Sequence, residues 1–545
     1  MKPKLPLSIL SSCGNYSRGI LHIFASVFLC GIPGAAQAAS LTWSGTDNAG
    51  GTGWSSWTTW TNNWNSGGSN YVNGSDVVFN GGGTSYDDGT NYGAAVWEGL
   101  NYTVGNMSFS TKNYTIGTKP GTTGFSASLT LTSGNIDVGT GVTATFMNNA
   151  GAGQSFRLHG SNGITKTGDG TLVVNCPSDI TGATTVSGGT LNLGVSAAVR
   201  GAVTINNGGT LKTTAAWGTG GTYADGQFGA ITVNAGGTLT TTSVANGITN
   251  GLTLNGGTVS GSGQSNGDWG EFGIGSNVSA GLLAASTSTI SADLAVFGTR
   301  TFEVGTGSIL NISGAMHNGS GDGGGAGGVT KTGLGTMTLS NTNIYTGATS
   351  VNEGTLKVTG SIESSAVTVN NSGTVLSSGA TGTIGKGVTV NSGAILAAGG
   401  KNAVGTATVG SDGLSFASGS IFEWDINQSS TSSGFDTLSV SGNLAADTTG
   451  AIFKVVLGGS ALTDIQDTGN AFWNTAYGTQ TWNMATIFGK NFTTNAFTIV
   501  DTSTNVSTYG SFTISGSSLT WTAVPEPTSG LAGLLITAGL LRRRR

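Results

Sequence analysis

Charge, histidine, cysteine and long apolar runs are all scarce in this 545-residue chain, and each scarcity removes a class of function. Charged residues make up 8% of it, far below the roughly 25% of an ordinary soluble domain. Of the 20 Lys and Arg, three precede residue 39 and four close the chain; with those and Glu526 set aside, 13 bases face 24 acids. Such a chain lacks the basic footprint that displaces counterions from a phosphate backbone, so nucleic acid is not expected as a partner. Beyond residue 38 only His159 and His317 remain, and neither adjoins a G-x-S-x-G nucleophile motif. A zinc site wants three or four converging ligands, which the chain scarcely supplies, and no metal or cofactor is expected. Calcium at a turn such as Gly321-Asp322-Gly323 would need a repeating nonapeptide that is missing. The cysteines are Cys13, Cys30 and Cys176; the first two precede the expected cleavage point, which leaves no intramolecular disulfide. Without bridges, a solid fold must be held by strand pairing and stacking. Cys176 reads as a buried thiol.

What is abundant is glycine, with 96 residues, beside 37% hydrophobic residues. The apolar residues alternate with Thr, Ser and Asn at period two, which gives apolar faces to bury and separates this chain from a disordered Gly-rich one. The chain also repeats itself. Gly328 to Val358 aligns without a gap on Gly163 to Leu193 at an offset of 165, with 15 of 31 positions identical. A shorter signature, strand-Asn-turn-Gly-Thr-strand, recurs around Val186, Ile205, Val233 and Leu254, and again around Val351, Val369 and Val390. Spacings near 20 suit one coil of a parallel β-helix, with Asn at each strand end able to hydrogen-bond up the stack. Lys166 and Lys331 within the long copies read as solvated turn residues.

The pattern of the long copies, GVTKTGLGTMTLSNTNIYTGATSVNEGTLKV in the second, resembles the autotransporter-associated β-strand repeat of bacterial passenger proteins. The resemblance rests on Val329, Lys331, Gly333, Gly335, Leu339, Tyr345, Gly347, Val351, Gly354 and Leu356; the earlier copy departs at Ile180, Cys176 and Pro177. It implies an all-β fold, a right-handed parallel β-helix or β-solenoid.

Residues 1–38 read as a signal peptide: basic Lys2, Lys4 and Arg18, a short apolar core, and Ala36-Gln37-Ala38 for cleavage between Ala38 and Ala39. At the other end, residues 524–545 combine Pro525, Glu526 and Pro527 with an apolar stretch and Arg542, Arg543, Arg544 and Arg545. This tail resembles the PEP-CTERM sorting signal of Gram-negative bacteria. That likeness implies an exosortase-type processing enzyme at the inner membrane, an association with exopolysaccharide, and transient membrane insertion of a short transmembrane helix whose Arg cluster stays cytoplasmic.

Between the ends, residues 39–110 form a Trp-rich N-terminal cap or first coils. Trp54, Trp57, Trp60 and Trp64 are candidate glycan contacts, because aromatic faces stack on sugar rings; covering the open end of the first coil is the favoured role. Residues 111–404 are the β-helix repeats, with 217–229 and 265–275 as loops leaving the coil. Residues 405–523 are terminal coils and a β cap, which a small β-sandwich would satisfy. Here Ser420–Ile426 alternates, putting Glu423 and Asp425 in water, and Ala451–Leu457 reads as a strand covered on both faces. Glu423 with Asp425, and Asp87 with Asp88, are the carboxylate pairs an enzyme would use. The reading is a secreted, exosortase-sorted structural or adhesive protein of the cell surface or extracellular matrix, associated with exopolysaccharide and not an enzyme. The alternative is a β-helix polysaccharide lyase or hydrolase, and the third reading is an autotransporter passenger-like adhesin.

Overall fold

The computed structural model describes residues 40–43, 54–56, 64, 71–80, 91–95, 101–118, 126–148, 155–195, 198–215, 228–242, 246–262, 270–319, 325–446, 450–467, 470–473, 479–490, 497–503 and 506–524. Outside these lie Ala38 and Ala39, Trp57 and Trp60, Asp87 and Asp88, Asp322, and the whole of Pro525, Glu526, Pro527 and Arg542 to Arg545. Trp54 is described by its backbone alone.

Strand follows short strand through almost all of the described chain, and nearly every strand pairs in parallel with one about a coil further on. Sheet 1 stacks 17 strands from Leu41–Thr42 to Leu444–Ala446. Sheet 2 stacks 18 strands from Trp54–Ser56 to Phe497–Asp501. A third side is built in three runs of four, four and five strands. The result is the expected parallel β-helix, in which each coil adds one rung to sheet 1, turns a corner, and adds one to sheet 2. At about 4.8 Å per rung, the sheet 1 stack rises roughly 80 Å.

The reason these residues form this fold is their register. Val186 lies on Ile205, Ile205 on Val233 and Val233 on Leu254, and Val351 lies on Val369 and Val369 on Val390. Those are the residues whose spacing marks the coil in the sequence. One inward column of sheet 1 therefore runs Leu41, Val77, Met107, Ile136, Lys166, Val186, Ile205, Val233, Leu254. In sheet 2 the matching column runs Leu310, Met337, Leu356, Leu376, Leu396, Phe422, Phe453. All of these are buried, and each fully buried aliphatic or aromatic side chain contributes about 1.5–3 kcal/mol before entropy is subtracted.

At the corners the predicted Asn ladders form. Asn234 donates to Asn206 (2.8 Å) and Asn255 to Asn234 (3.0 Å); Asn370 donates to Asn352 (2.8 Å) and Asn391 to Asn370 (2.9 Å). Like residues one coil apart hand the same amide bond along the stack.

Both ends of the stack carry aromatic clusters. In the first coils Trp43 and Trp64 meet edge to face at 4.9 Å, Trp64 packs on Tyr71 and Phe79, and Phe79 stacks flat on Phe109 at 4.7 Å. At the far end, the short helices Gly459–Gln466, Met484–Phe488 and Val506–Tyr509 accompany an antiparallel sheet of three strands, Gln480–Asn483, Ser518–Ala523 and Gly510–Ser515. Trp424, Trp473, Trp482 and Trp521 interlock beneath it at 5.5–6.1 Å. Among the described residues this is one antiparallel sheet with helices, which replaces the sandwich expectation.

Two strand readings also change. Ile421–Ile426 is buried at every position after the first: Glu423 pairs with Lys454 on the next rung and Asp425 accepts from the backbone of Ala403, so neither stands in water. Ala451–Leu457 instead alternates buried and half-buried, so its apolar composition does not mean cover on both faces. Phe228, Glu271 and Phe272, assigned to departing loops, are buried coil residues; 216–227 and 263–269 lie outside the described residues.

Replacing Asn370 by Ala removes one bond to each neighbouring rung. We expect about 1–2 kcal/mol of destabilisation, read as a lower urea midpoint, whereas Ala at the outward Thr368 on the adjoining strand should change it by less than half as much.

Candidate functional site

Four groups of polar residues in or on the coil could carry chemistry, and the geometry sorts them. The first is the lysine of the repeat. Lys166 and Lys331 are fully buried, which overturns the solvated-turn reading. Each sits at an inward position of sheet 1, level with Ile136 and Val186 or with Phe302 and Val351. Lys166 Nζ donates to the carbonyls of Thr167 (2.7 Å), Gly168 (2.7 Å) and Gly188 (3.2 Å). Lys331 Nζ donates to Thr332 (2.8 Å), Gly333 (2.6 Å) and Glu353 (3.1 Å). Three ammonium protons meet three carbonyls, two on the lysine's own corner and one on the next coil's. The corner can turn its carbonyls inward because Gly168 and Gly333 adopt φ near +71°, where a Cβ would strike the carbonyl of Val138 or Val304. Burial pulls both amines down to about 8, against the neighbouring carboxylates of Asp137 and Asp169 or Glu353.

The second copy closes a further chain of bonds: Tyr345 Oη meets Thr349 Oγ1 at 2.8 Å, and Thr349 meets Ser365 at 2.8 Å. In the first copy Ile180 takes the Tyr position, and the hydroxyl of Thr184, equivalent to Thr349, is buried with no partner among the described residues. The sequence departure at Ile180 thus has a visible structural cost.

The second group is the carboxylate cluster of the terminal coils. Glu423 is fully buried and accepts from Lys454 Nζ on the adjacent rung at 2.6 Å. Asp425 is 4% exposed, and burial with the nearby Glu423 charge pushes its carboxyl up to about 7. Asp436 is fully buried and is pushed up by burial to about 8, although the Gly405 N–H (2.7 Å) and the Asp425 N–H (3.2 Å) donate to it. Sequence reasoning missed Asp436 and Lys454, which reach the cluster through fold alone. One oxygen each of Glu423 and Asp425 has no partner among the described residues. The turn over them carries Asn402 at φ +59° and Gly400 at +108°. Both carboxylates are buried and present no surface to a glycan chain.

The third group holds the histidines, which lie on the third side. His159 Nδ1 is in hydrogen-bond contact with the carboxylate of Asp179, its direct neighbour on the next rung. His317, expected in a loop, is instead a buried residue of strand Met316–Asn318 and contacts Glu271 at 2.7 Å. No cluster of three or more His, Cys, Asp or Glu that could hold a metal occurs among the described residues. Cys176 is buried beside the backbone of Leu158, and burial pushes its thiol up to about 12, so it is inert as a nucleophile.

The fourth is an open trough of about 230 Å³ on the outer face of sheet 1, lined by Ser40, Asp76, Asn106, Ser108, Asp137 and Thr167 among others. Asp76 accepts from the Asn106 backbone (2.7 Å) and side chain (3.0 Å), Asn135 donates to Asn106 (2.9 Å), and Thr167 donates to Asp137 (2.7 Å). Its lining offers donors and acceptors on five successive rungs and no cation. Of the candidate glycan-binding tryptophans, Trp64 is wholly buried against Trp43 and Phe79 and has no free ring face.

Residues 164–193 and 329–358 match the passenger-associated-transport-repeat family. No curated protein and no solved structure matches the chain. Each matched segment begins just before the buried lysine and ends on the sheet 2 strand of the following coil, at Leu193 or Val358. That length contains the reach of the lysine, whose third carbonyl lies 22 residues on. The repeat is a two-coil clamp.

Lys331→Met should destabilise the chain by about 1–3 kcal/mol, since three inward carbonyls lose their donor. The wild type should also gain stability as pH rises from about 8 to 10.5, because a lowered amine pKa means the unfolded chain binds more protons in that window; denaturation of the Met variant should lack this contribution. The carboxylates have the opposite sign. Asp436 holds its proton to about 8 when folded, so its stabilisation is complete below pH 3.8 and declines up to pH 8. Asp436→Asn should flatten that decline in urea titrations run at successive pH values.

Proposed function

We propose that this chain is an exported, passenger-like protein of the bacterial cell surface or extracellular matrix whose role is structural or adhesive. One observation carries the reading. Both segments that match a passenger-associated repeat are seamless parts of one continuous stack, and their shared lysine is consumed in holding adjacent coils together. Such a chain supplies length and stiffness. The trough on the outer face of sheet 1 would be the surface offered to a hydroxyl-rich chain such as an exopolysaccharide. Glu423 and Asp425, the residues a lyase or hydrolase would use, are covered and committed to internal contacts.

The route to the surface belongs to the same proposal. Residues 1–38 would direct export. Residues 524–545 would be read at the inner membrane by an exosortase-type enzyme, with the short apolar segment inserted transiently and Arg542 to Arg545 held on the cytoplasmic side. No helix among the described residues is long and apolar enough to cross a membrane. Deleting 524–545 should shift the protein from the cell surface or matrix to another fraction, followed by immunoblot of fractionated cells; an unchanged distribution refutes the sorting role.

A further inference from the structure

We infer that His317 and Glu271 form a proton-dependent latch that holds the third side of the coil closed between residues 270 and 319. The pair spans two rungs. On this side Gly273 is level with Ala295, and Ala295 with His317. Glu271 stands just ahead of the first of these strands, Phe272–Ile274, so the imidazole reaches back past the rung of Ala295, where the small side chain leaves room. Both partners are buried, Glu271 at 1% exposure and His317 at 7%.

The bonding on the two ring nitrogens dictates the proton count. Nδ1 lies 2.9 Å from the carbonyl oxygen of Asn318, which can only accept, so Nδ1 carries hydrogen. Nε2 lies 2.7 Å from Oε2 of Glu271. That contact holds either as an imidazolium donating to a carboxylate or as a carboxylic acid donating to a neutral ring, and both forms contain one proton between the two atoms. Remove it, and two lone pairs face each other at 2.7 Å in a buried site. Glu271 and Asp293 are the acids whose charge acts on His317; Asp293 is otherwise occupied with the backbone N–H of Ala315 at 2.7 Å. Although burial works against the charged ring, these acids and the Asn318 carbonyl raise the histidine above its ordinary value of 6.5. A raised value gives the sign: the latch is fully closed below pH 6.5 and opens as pH rises through the folded-state value.

The test is amide hydrogen exchange on the intact chain at pH 6, 7, 8 and 9, corrected for the intrinsic pH dependence of exchange. In peptides covering 270–275, 293–297 and 315–319, protection should fall by up to tenfold per pH unit above the folded value. Peptides covering 231–233 and 388–390, on sheet 1 and not level with either repeat lysine, serve as the reference. His317→Gln keeps an amide donor toward Glu271 without a titrating proton and should abolish the pH response of these peptides. Glu271→Gln, whose amide donates to the neutral ring, should do the same and covers the case in which the first variant folds poorly. The latch is overturned if the wild-type peptides follow the reference peptides from pH 6 to 9, or if either folded variant keeps the wild-type response.

Discussion

Parallel register between successive coils is the constraint from which the rest of the molecule follows. Each backbone N–H of a rung bonds to the rung beside it, so every side chain is stacked on its counterpart one coil away. Outward columns can be polar only if like residues tolerate one another at that spacing. Thr, Ser and Asn do so, whereas stacked like charges repel. The low charge of the chain and its Asn ladders are two aspects of the same demand. An end of a stack lacks a covering rung, and among the described residues both ends carry large aromatic clusters.

Inward columns impose a stricter rule, since a polar group there has no water to turn to. The molecule meets the rule locally and repeatedly. The repeat lysines satisfy all three donors on corner carbonyls; Asn246 bonds to Thr213 (3.1 Å) and Thr241 (2.6 Å); Tyr345, Thr349 and Ser365 form a chain. The carboxylates of the terminal coils, like the hydroxyl of Thr184, depart from the rule, with raised proton affinities at Asp425 and Asp436 and oxygens of Glu423 and Asp425 that have no partner among the described residues. Perturbed carboxyls of this kind often mark active sites. Here burial itself is the first cause of the raised values at Asp425 and Asp436, and accounts for their titration without a substrate.

The coil was legible from the sequence because its signal is local and repeated: the spacing of Val186, Ile205, Val233 and Leu254 is the stacking register itself. The placement of Lys331 is legible too, since it shares parity with the inward Val329, whereas a solvated-turn reading follows only from the ordinary preference of a lysine for water. Asp425 shows the limit of that method. Period two places it opposite Trp424, yet whether that outer face meets solvent depends on residues 399–405, a separate segment whose course no strand pattern encodes. The His317–Glu271 pair is 46 residues apart and joins rungs in the run of the third side whose strands are three residues long, too short to announce a register.

A paired-cysteine cross-link tests the register most directly. Thr368 and Thr389 face outward on adjacent rungs of sheet 1 and lie directly opposite, within the Cα separation of about 4.4–6.8 Å that a disulfide bridges. Cysteines at 368 and 389 should therefore oxidise readily to an intramolecular disulfide. Cysteines at 368 and 391, displaced by one outward position to about 8 Å, should not. Equal cross-linking of the two pairs, or none in the first, would contradict the stacked parallel coil on which this account rests.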